Sequence, residues 1–241
     1  DPSKPATTKA EQVMRPTWKG EWFGADGQRK GGGGTAWNAF SYDPETNLIY
    51  LGVGNGYPYN QKLRSPGGGD NLFLASVVAV HADTGEYAWH YRVCPAEQWD
   101  CTATADMTLA ELEIDGARRK VLMQAPKNGF FYVLDRKTGA FISAEKIAKV
   151  TWADRIDAKT GRPVENPGIR YQGKPGLFEL WPGPTGAHSW PSQAYSPQTG
   201  LVYLPAQNIP VRVVEDKKWK HNENALGKPH GGVGWNIGFN F

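Results

Sequence analysis

A short loop around Asp100 holds the residues best suited to chemistry. It places one carboxylate between the indole of Trp99 and the thiol of Cys101, with Pro95 restricting the backbone and Cys94 supplying a second thiol. A carboxylate can act as a general base when its surroundings limit water and supply a cation. The sequence therefore predicts catalysis at Asp100, and the alternative is an ordinary aspartate in a surface loop.

A second candidate segment is the run of glycines from Gly31 to Gly34, which is followed by Thr35 and Trp37. Glycines let the backbone approach another surface closely, and an indole offers a flat face. A phosphate-binding loop would need Lys-Ser or Lys-Thr after the glycines, at the start of a helix. Neither dipeptide follows the glycines here, so a nucleotide phosphate loop is not indicated.

The elements that position these residues are predicted to be strands. The 241 residues are enough for one all-β domain. With 10 Trp, 29 Gly and 18 Pro, the composition is typical of strands and turns rather than a helical bundle. A net charge of +3 with scattered basic residues does not suggest nucleic acid binding. No apolar run approaches the ~20 residues of a membrane span, and no signal peptide opens the chain.

Four segments repeat one design, in which two apolar runs flank a turn that contains Thr beside Gly or Asn. They cover residues 39–51, 76–89, 130–141 and 193–204, with turn threonines Thr46, Thr84, Thr138 and Thr199. Such turns predict β-hairpins, and a repeat of about 40–50 residues is typical of propeller blades. We predict one all-β propeller domain of about four blades over residues 31–241, with residues 1–30 as a connector. A β-sandwich with fortuitous hairpins is the alternative.

Residues 79–89, in the second repeat, resemble the tryptophan-docking repeat of the eight-bladed quinoprotein alcohol dehydrogenases, which use pyrroloquinoline quinone (PQQ). Residues 32–56 and 83–100 are similar to further stretches of that family, in the same order. Residues 124–136 are most similar to its ethanol-type and quinohaemoprotein branch. The resemblance runs from about Thr17 to about Trp219. It implies that the remaining propeller blades lie outside this chain.

The resemblance implies four residues that contact the cofactor. Trp37 would stack on one face of PQQ, and Thr35 would contact a PQQ carboxylate. Lys127 would donate to the quinone oxygens, and Asn208 would also contact PQQ. From the residues alone, Trp37 could equally be a core tryptophan and Lys127 a solvated hairpin lysine.

The resemblance also implies a calcium site. Asn55 and Asp100 would give oxygen atoms to Ca²⁺, which prefers oxygen ligands; without the family, Asn55 would be read as a turn asparagine between two glycines. Lanthanide-dependent relatives have an acidic residue where this sequence has the neutral Thr102, so Ca²⁺ is the expected ion. His188 matches the family but is interpreted as structural, because no nearby residues complete a zinc pattern.

The activity implied is oxidation of a small alcohol to an aldehyde, with hydride transfer to Ca²⁺-bound PQQ. Electrons would pass to a cytochrome c or to a fused haem c domain, since this sequence has no Cys-x-x-Cys-His motif. The family is periplasmic, which is an oxidising compartment. We therefore predict a disulfide between Cys94 and Cys101, the two cysteines of the chain. Two free buried thiols are the alternative.

Two other functions remain open at this point. The chain could belong to a non-catalytic propeller of the same type that binds proteins as a scaffold, or to a related sugar dehydrogenase. The ordered presence of Trp37, Asn55, Asp100 and Lys127 favours the alcohol dehydrogenase, because a scaffold has no reason to retain a cofactor site. The family's upstream glutamate ligand of Ca²⁺ and its disulfide between adjacent cysteines are not in this sequence. We therefore expect residues 1–241 alone to be inactive.

Overall fold

The computed structural model describes residues 5–20, 32–38, 40–217 and, for the backbone, 237–240. Gly31 and the connector residues Trp22 and Phe23 lie outside these ranges, as does Trp219. Two short α-helices and one 3-10 helix are present in the described part, at Lys9–Met14, Gln61–Arg64 and Arg15–Thr17. The strands are β1 Gly32–Gly33, β2 Ser41–Asp43, β3 Leu48–Gly52, β4 Gly56–Tyr57, β5 Ser76–His81, β6 Tyr87–Arg92, β7 Met107–Ile114, β8 Ala117–Gln124, β9 Phe130–Asp135, β10 Phe141–Lys146, β11 Ala153–Ile156, β12 Pro163–Glu165, β13 Phe178–Leu180, β14 Ala194–Ser196, β15 Leu201–Tyr203, β16 Val211–Glu215 and β17 Ile237–Asn240.

Two antiparallel sheets have the four strands of a complete blade. The first has the order β2-β3-β5-β6 and the second has the order β10-β9-β8-β7. The strands of each sheet occur in chain order, with only the short β4 inserted between β3 and β5, as expected of an up-and-down blade. The remaining strands form sheets of two or three strands, namely β1-β4, β11-β12, β14-β15 and β13-β16-β17. This arrangement confirms the all-β prediction.

The four predicted hairpins are confirmed by the pairing of β2 with β3, β5 with β6, β9 with β10 and β14 with β15. Their turn chemistry explains why threonine recurs. Between β9 and β10, the Asp135 carboxylate accepts hydrogen bonds from the Thr138 amide at 2.8 Å and from its hydroxyl at 2.7 Å. Gly139 then adopts a left-handed φ of 72°. The Asp-x-x-Thr-Gly pattern is therefore a self-bonded turn.

Part of the main core lies between the two complete blades. Tyr50 of the first sheet is fully buried, and its hydroxyl donates to the main-chain carbonyl of Arg136, in the turn after β9 of the second sheet, at 2.8 Å. The buried Trp89 packs beside it with ring centroids 5.6 Å apart. Gly139 allows this packing, because a Cβ there would lie 2.4 Å from the Trp89 ring. The indole of Trp89 on the first blade thus packs against the turn of the second blade and holds the two blades together.

The described part of the connector, residues 5–20, is fastened to a loop ahead of β5. The Leu72 amide donates to the Thr17 hydroxyl at 2.8 Å, and the Trp18 indole nitrogen donates to the Leu72 carbonyl at 2.5 Å. Its helix begins at a capping box made by Thr8 and Glu11. Within the described residues, no helix has both the length and the apolar character needed to cross a membrane.

Candidate functional site

The Asp100 loop leaves the first blade after β6 and enters the second at β7. Asp100 has a left-handed φ of 63°. Aspartate is one of the few non-glycine residues found in this region, and such a backbone costs about 1–3 kcal/mol unless the surroundings hold it. Strained residues of this kind concentrate at functional sites. The conformation therefore supports the interpretation of Asp100 as more than a surface residue.

The Asp100 carboxylate is largely buried and paired with a cation. Lys127 Nζ lies 2.9 Å from Asp100 Oδ2, and the two side chains are 15% and 13% exposed. The Tyr59 hydroxyl also hydrogen-bonds to this carboxylate. Burial raises the pKa of Asp100, and Lys127 opposes that rise. The structure therefore supplies both the limited water and the cation that a general base needs, and Lys127 is not a solvated lysine.

A disulfide joins Cys94 to Cys101, with Cα atoms 6.3 Å apart, so this prediction is confirmed. Both residues are buried. The bond closes the loop immediately after Asp100, and it therefore limits the motion of the backbone that carries the carboxylate. No free cysteine remains, which removes the alternative of two buried thiols.

Removal of this disulfide is expected to lower the free energy of unfolding by about 2–3 kcal/mol, because a closed loop of this length restricts the unfolded chain by that amount. The measurement is urea denaturation of the full-length Cys94→Ala/Cys101→Ala variant against the wild type. Wild type and variant that are both reduced before unfolding are the control, and these two should match each other. Two thiols that alkylate in the unreduced, unfolded wild type would contradict the disulfide itself.

Thr35, Trp37 and Asn55 lie on two segments that pack backbone to backbone. The Gly54 amide donates to the Thr35 carbonyl at 3.0 Å. The approach requires glycine, because a Cβ on Gly33, which has a φ of 97°, would lie 2.3 Å from the Asn55 carbonyl oxygen. The glycines thus let the two backbones approach each other closely, as the sequence predicts.

Trp37, Asp100 and Lys127 line one cavity of about 660 Å³. Residues 184–185, 187–191 and 205–207 make up the rest of its lining. Trp37 is 47% exposed, so its indole is not part of the core. A flat aromatic face beside a buried ion pair suits a planar, charged ligand, and the volume is typical of small-molecule sites.

Asn208 is not among the residues that line this cavity, although it directly follows one of them. Its side-chain oxygen accepts a hydrogen bond from the Lys149 amide at 2.8 Å. The neighbouring Gln207 lines the cavity instead, with its amide nitrogen bound to the Gly186 carbonyl at 2.9 Å. The sequence did not single out Gln207, although it stands directly before Asn208.

His188 lines the same cavity but is held by the main chain. Its Nδ1 lies 2.5 Å from the Ala125 carbonyl oxygen and its Nε2 lies 2.9 Å from that of Pro191. Both ring nitrogens are therefore engaged by carbonyl groups, which supports the structural interpretation. In the described part of the chain, no group of three or more His, Cys, Asp or Glu side chains could hold a metal ion.

Sequence reasoning missed two more residues, one within the Asp100 loop and one that contacts it. Glu97 and Arg64 are both fully buried. Burial raises the pKa of Glu97, and Arg64 opposes that rise. In the sequence, the only indication of a role for Glu97 is that it stands three residues before Asp100. A loop carboxylate is usually solvated, so this position did not suggest burial. Arg64 has no such signal, because it stands in a polar segment far from the loop.

Asn55 and Asp100 offer oxygen atoms of the kind that a hard cation takes. The Asn55 amide nitrogen donates to the Gly56 carbonyl at 3.1 Å, which leaves the amide oxygen for a ligand. Ca²⁺ takes about 6–8 oxygen ligands, so these two residues supply only part of a calcium shell. The rest of such a shell would have to come from other ligands.

Comparison with known proteins identifies a family model that covers most of the chain. The PQQ model, described as the glucose/ethanol/alcohol dehydrogenase β-propeller domain, matches residues 11–160. The quinohemoprotein alcohol dehydrogenase ADH IIB of Pseudomonas putida is 55% identical over 210 residues, which cover 87% of this chain and 30% of that protein. The chain therefore spans about a third of the length of the relatives it matches.

Two solved structures are similar over most of the chain. The quinohemoprotein alcohol dehydrogenase ADHIIG of Pseudomonas putida HK5 matches with a TM-score of 0.90 and 45% identity, over 100% of this chain and 34% of that one. A europium-containing methanol dehydrogenase matches with a TM-score of 0.78 and 33% identity, over 89% of this chain and 37% of that one. These matches confirm the propeller fold.

Proposed function

Since the chain belongs to the PQQ β-propeller family of glucose, ethanol and alcohol dehydrogenases, we propose that it is part of an enzyme that oxidises a small alcohol to an aldehyde. The observation that carries this proposal is the buried pair of Asp100 and Lys127 beside Trp37 in one cavity. A propeller that only binds proteins has no use for a buried carboxylate and cation that open into a cavity. The proposal places this chain within a longer propeller whose other blades lie outside it.

Trp37 would hold PQQ by stacking against its ring system, since its indole faces the cavity. Lys127 would donate to the quinone oxygens from the same cavity. Thr35 would contact a PQQ carboxylate from the segment that carries Trp37, and Asn208 would contact PQQ beside Gln207. PQQ, when bound, supplies the acceptor for the hydride of the alcohol carbon.

Asp100 would accept the hydroxyl proton of the alcohol at its carboxylate. Its position against Tyr59 and Lys127 fixes the carboxylate. Lys127 keeps this carboxylate ionised against the effect of burial, and its charge also favours negative charge that develops in the cavity. The buried setting excludes water, which strengthens both interactions.

Asn55 and Asp100 would hold Ca²⁺ through an amide oxygen and a carboxylate oxygen. These are hard ligands, and the cation would act as a Lewis acid next to the base. Thr102 follows Asp100 by two positions, and its hydroxyl lies 3.5 Å from Asp100 Oδ1. A hydroxyl adds no negative charge, so the site does not have the additional carboxylate that would favour a trivalent ion.

We expect calcium to restore activity to the metal-free full-length enzyme and lanthanum to fail, because Thr102 is neutral. The measurement is alcohol oxidation after chelation and re-addition of each ion with PQQ. The variant Thr102→Asp is the matched test, and it should shift the preference toward lanthanum. Activity of the wild type with lanthanum alone would contradict the assignment of calcium.

Electrons would pass from the enzyme to a cytochrome c or to a fused haem c domain, as the quinohemoprotein name of the relatives suggests. We propose the periplasm as the location. The disulfide beside Asp100 supports this, because disulfides persist in oxidising compartments.

The proposed function is tested with the full-length protein, loaded with PQQ and calcium, against a panel of alcohols and sugars with an artificial electron acceptor. We expect oxidation of one or more primary alcohols that depends on both PQQ and calcium. PQQ-dependent oxidation of sugars without oxidation of alcohols would favour the sugar dehydrogenase. A protein that binds no PQQ would favour the scaffold.

A further inference from the structure

Glu97 is a fully buried carboxylate that joins two separate segments of the site. Its Oε1 accepts hydrogen bonds from the Trp99 amide at 2.8 Å and from the Cys101 amide at 3.0 Å. Its Oε2 accepts a hydrogen bond from the Gly56 amide at 2.9 Å. One side chain therefore fixes the backbone on both sides of Asp100 and the backbone directly after Asn55.

The bonds to Trp99 and Cys101 hold Asp100 in its conformation. The two donating amides flank the Asp100 residue, whose φ of 63° is costly without support. Charge-assisted hydrogen bonds that a carboxylate accepts are stronger than hydrogen bonds between neutral groups. Glu97 thus holds the backbone of Asp100 in its left-handed conformation. Its own side chain is not among the residues that line the cavity.

Arg64 supports the same arrangement from below. Its guanidinium is fully buried and donates to the Pro58 carbonyl at 2.6 Å and to the Tyr59 carbonyl at 3.2 Å. It also donates to the main-chain carbonyl of Glu97. Gly56 must be glycine here, because a Cβ would lie 2.4 Å from Arg64 Nη1. The Arg64 charge also opposes the rise that burial causes in the pKa of Glu97.

Tyr59 completes the connection between the two segments. It follows Gly56 closely in sequence, and its hydroxyl hydrogen-bonds to the Asp100 carboxylate. The segment of Asn55 is therefore bound to the loop of Asp100 twice, once through Glu97 and once through Tyr59. The spacing between the amide oxygen of Asn55 and the carboxylate of Asp100 depends on these two links.

We propose that Glu97 is a positioning residue that sets the spacing of Asn55 and Asp100 for the bound cation. This rests on the proposed function, in which both residues bind Ca²⁺. Glu97 acts through backbone amides and is not itself a ligand. Residues that orient metal ligands from behind typically change metal affinity by about 10- to 100-fold when replaced.

Glu97→Gln is the sharpest test, because glutamine keeps the volume and one acceptor oxygen. Its amide group would face the Gly56 amide, so two donors would oppose each other and that link would break. We expect calcium to bind the PQQ-loaded full-length protein at least about 10-fold more weakly by calorimetric titration. Without cofactor, amide hydrogen exchange of peptides that contain Gly56 and Cys101 should be about 10-fold faster or more.

Asp43→Asn is the matched control. Asp43 is also a buried carboxylate paired with an arginine, Arg136 at 2.9 Å, and it is the last residue of β2, away from the cavity. We expect this variant to be less stable but to bind calcium as the wild type does. If Glu97→Gln does not fold, Glu97→Asp replaces it. The shorter carboxylate should keep the bonds within its own loop and release Gly56.

The outcomes separate this inference from the proposed function. Wild-type calcium affinity and wild-type exchange rates in a folded Glu97→Gln or Glu97→Asp variant overturn the positioning role alone. A wild-type protein that binds no calcium overturns the proposed calcium site, and exchange at Gly56 then still shows whether Glu97 joins the two segments. Equal losses of calcium affinity in Glu97→Gln and Asp43→Asn would mean that lower stability, not positioning, causes the change.

Discussion

Asp100→Asn in the full-length enzyme is expected to lower kcat by about 10²- to 10⁴-fold, the usual contribution of a general base. Asparagine keeps the shape of aspartate and tolerates the left-handed backbone at φ 63°. The loop, its disulfide and the packing of Trp99 should therefore survive. An amide cannot accept the alcohol proton at neutral pH, so the loss should appear in kcat rather than in KM alone.

The measurement is steady-state oxidation of the best alcohol substrate, together with PQQ binding followed by absorbance. PQQ should bind the variant nearly as it binds the wild type. Excess calcium is the control for a second role, because it would recover part of the activity if Asp100 mainly held the ion. Near wild-type kcat in this variant, with loss of turnover after another carboxylate is changed, would mean that Asp100 is not the base.

Much of the fold could be predicted because the repeated turns are local. The Asp135 carboxylate binds Thr138 three residues away, so the sequence contains the whole turn. The disulfide was predictable for the same reason, since Cys94 and Cys101 are separated by 7 positions. Local chemistry of this kind is visible in a sequence without knowledge of the fold.

The supports of the site could not be predicted because they join distant segments. Glu97 binds the amide of Gly56, 41 positions away, and no local pattern indicates that a loop glutamate is fully buried. The choice of Trp37 among 10 tryptophans depended on the family resemblance. Trp37 is 47% exposed and Trp89 is 7% exposed, and this difference depends on blade packing.

The second large effect concerns the positive charge of Lys127. Lys127→Met should lower kcat/KM by about 10²- to 10³-fold, as expected when a group that stabilises developing charge is removed from a buried site. Methionine has a similar length, so it should fill the space without a charge. The pKa of Asp100 is raised by burial and held down by Lys127. Loss of the lysine should therefore raise this pKa further.

A higher pKa leaves more of the base protonated, so the activity of Lys127→Met should fall at a higher pH than that of the wild type as the solution is acidified. Profiles of kcat against pH measure this shift. Lys120→Met is the matched control, because Lys120 is on the same blade as Lys127 and also pairs with a carboxylate, that of Glu45. The side chains of Lys120 and Glu45 are about half exposed, at 50% and 49%. An exposed pair contributes about 0–1 kcal/mol, so this control should leave kcat and its pH profile unchanged.

The double variant Asp100→Asn/Lys127→Met shows whether the two residues act as a unit. Removal of one partner of a buried pair leaves the other charge uncompensated and costs about 3–5 kcal/mol of stability. Removal of both leaves no charge behind, so the double variant should unfold at higher urea than Lys127→Met alone. Its turnover should fall below that of Asp100→Asn, but by less than Lys127→Met alone loses, because without the base there is no ionised carboxylate for Lys127 to maintain while its bond to the quinone oxygens is still lost. Fully additive losses in kcat would mean that Lys127 acts on bound PQQ independently of Asp100.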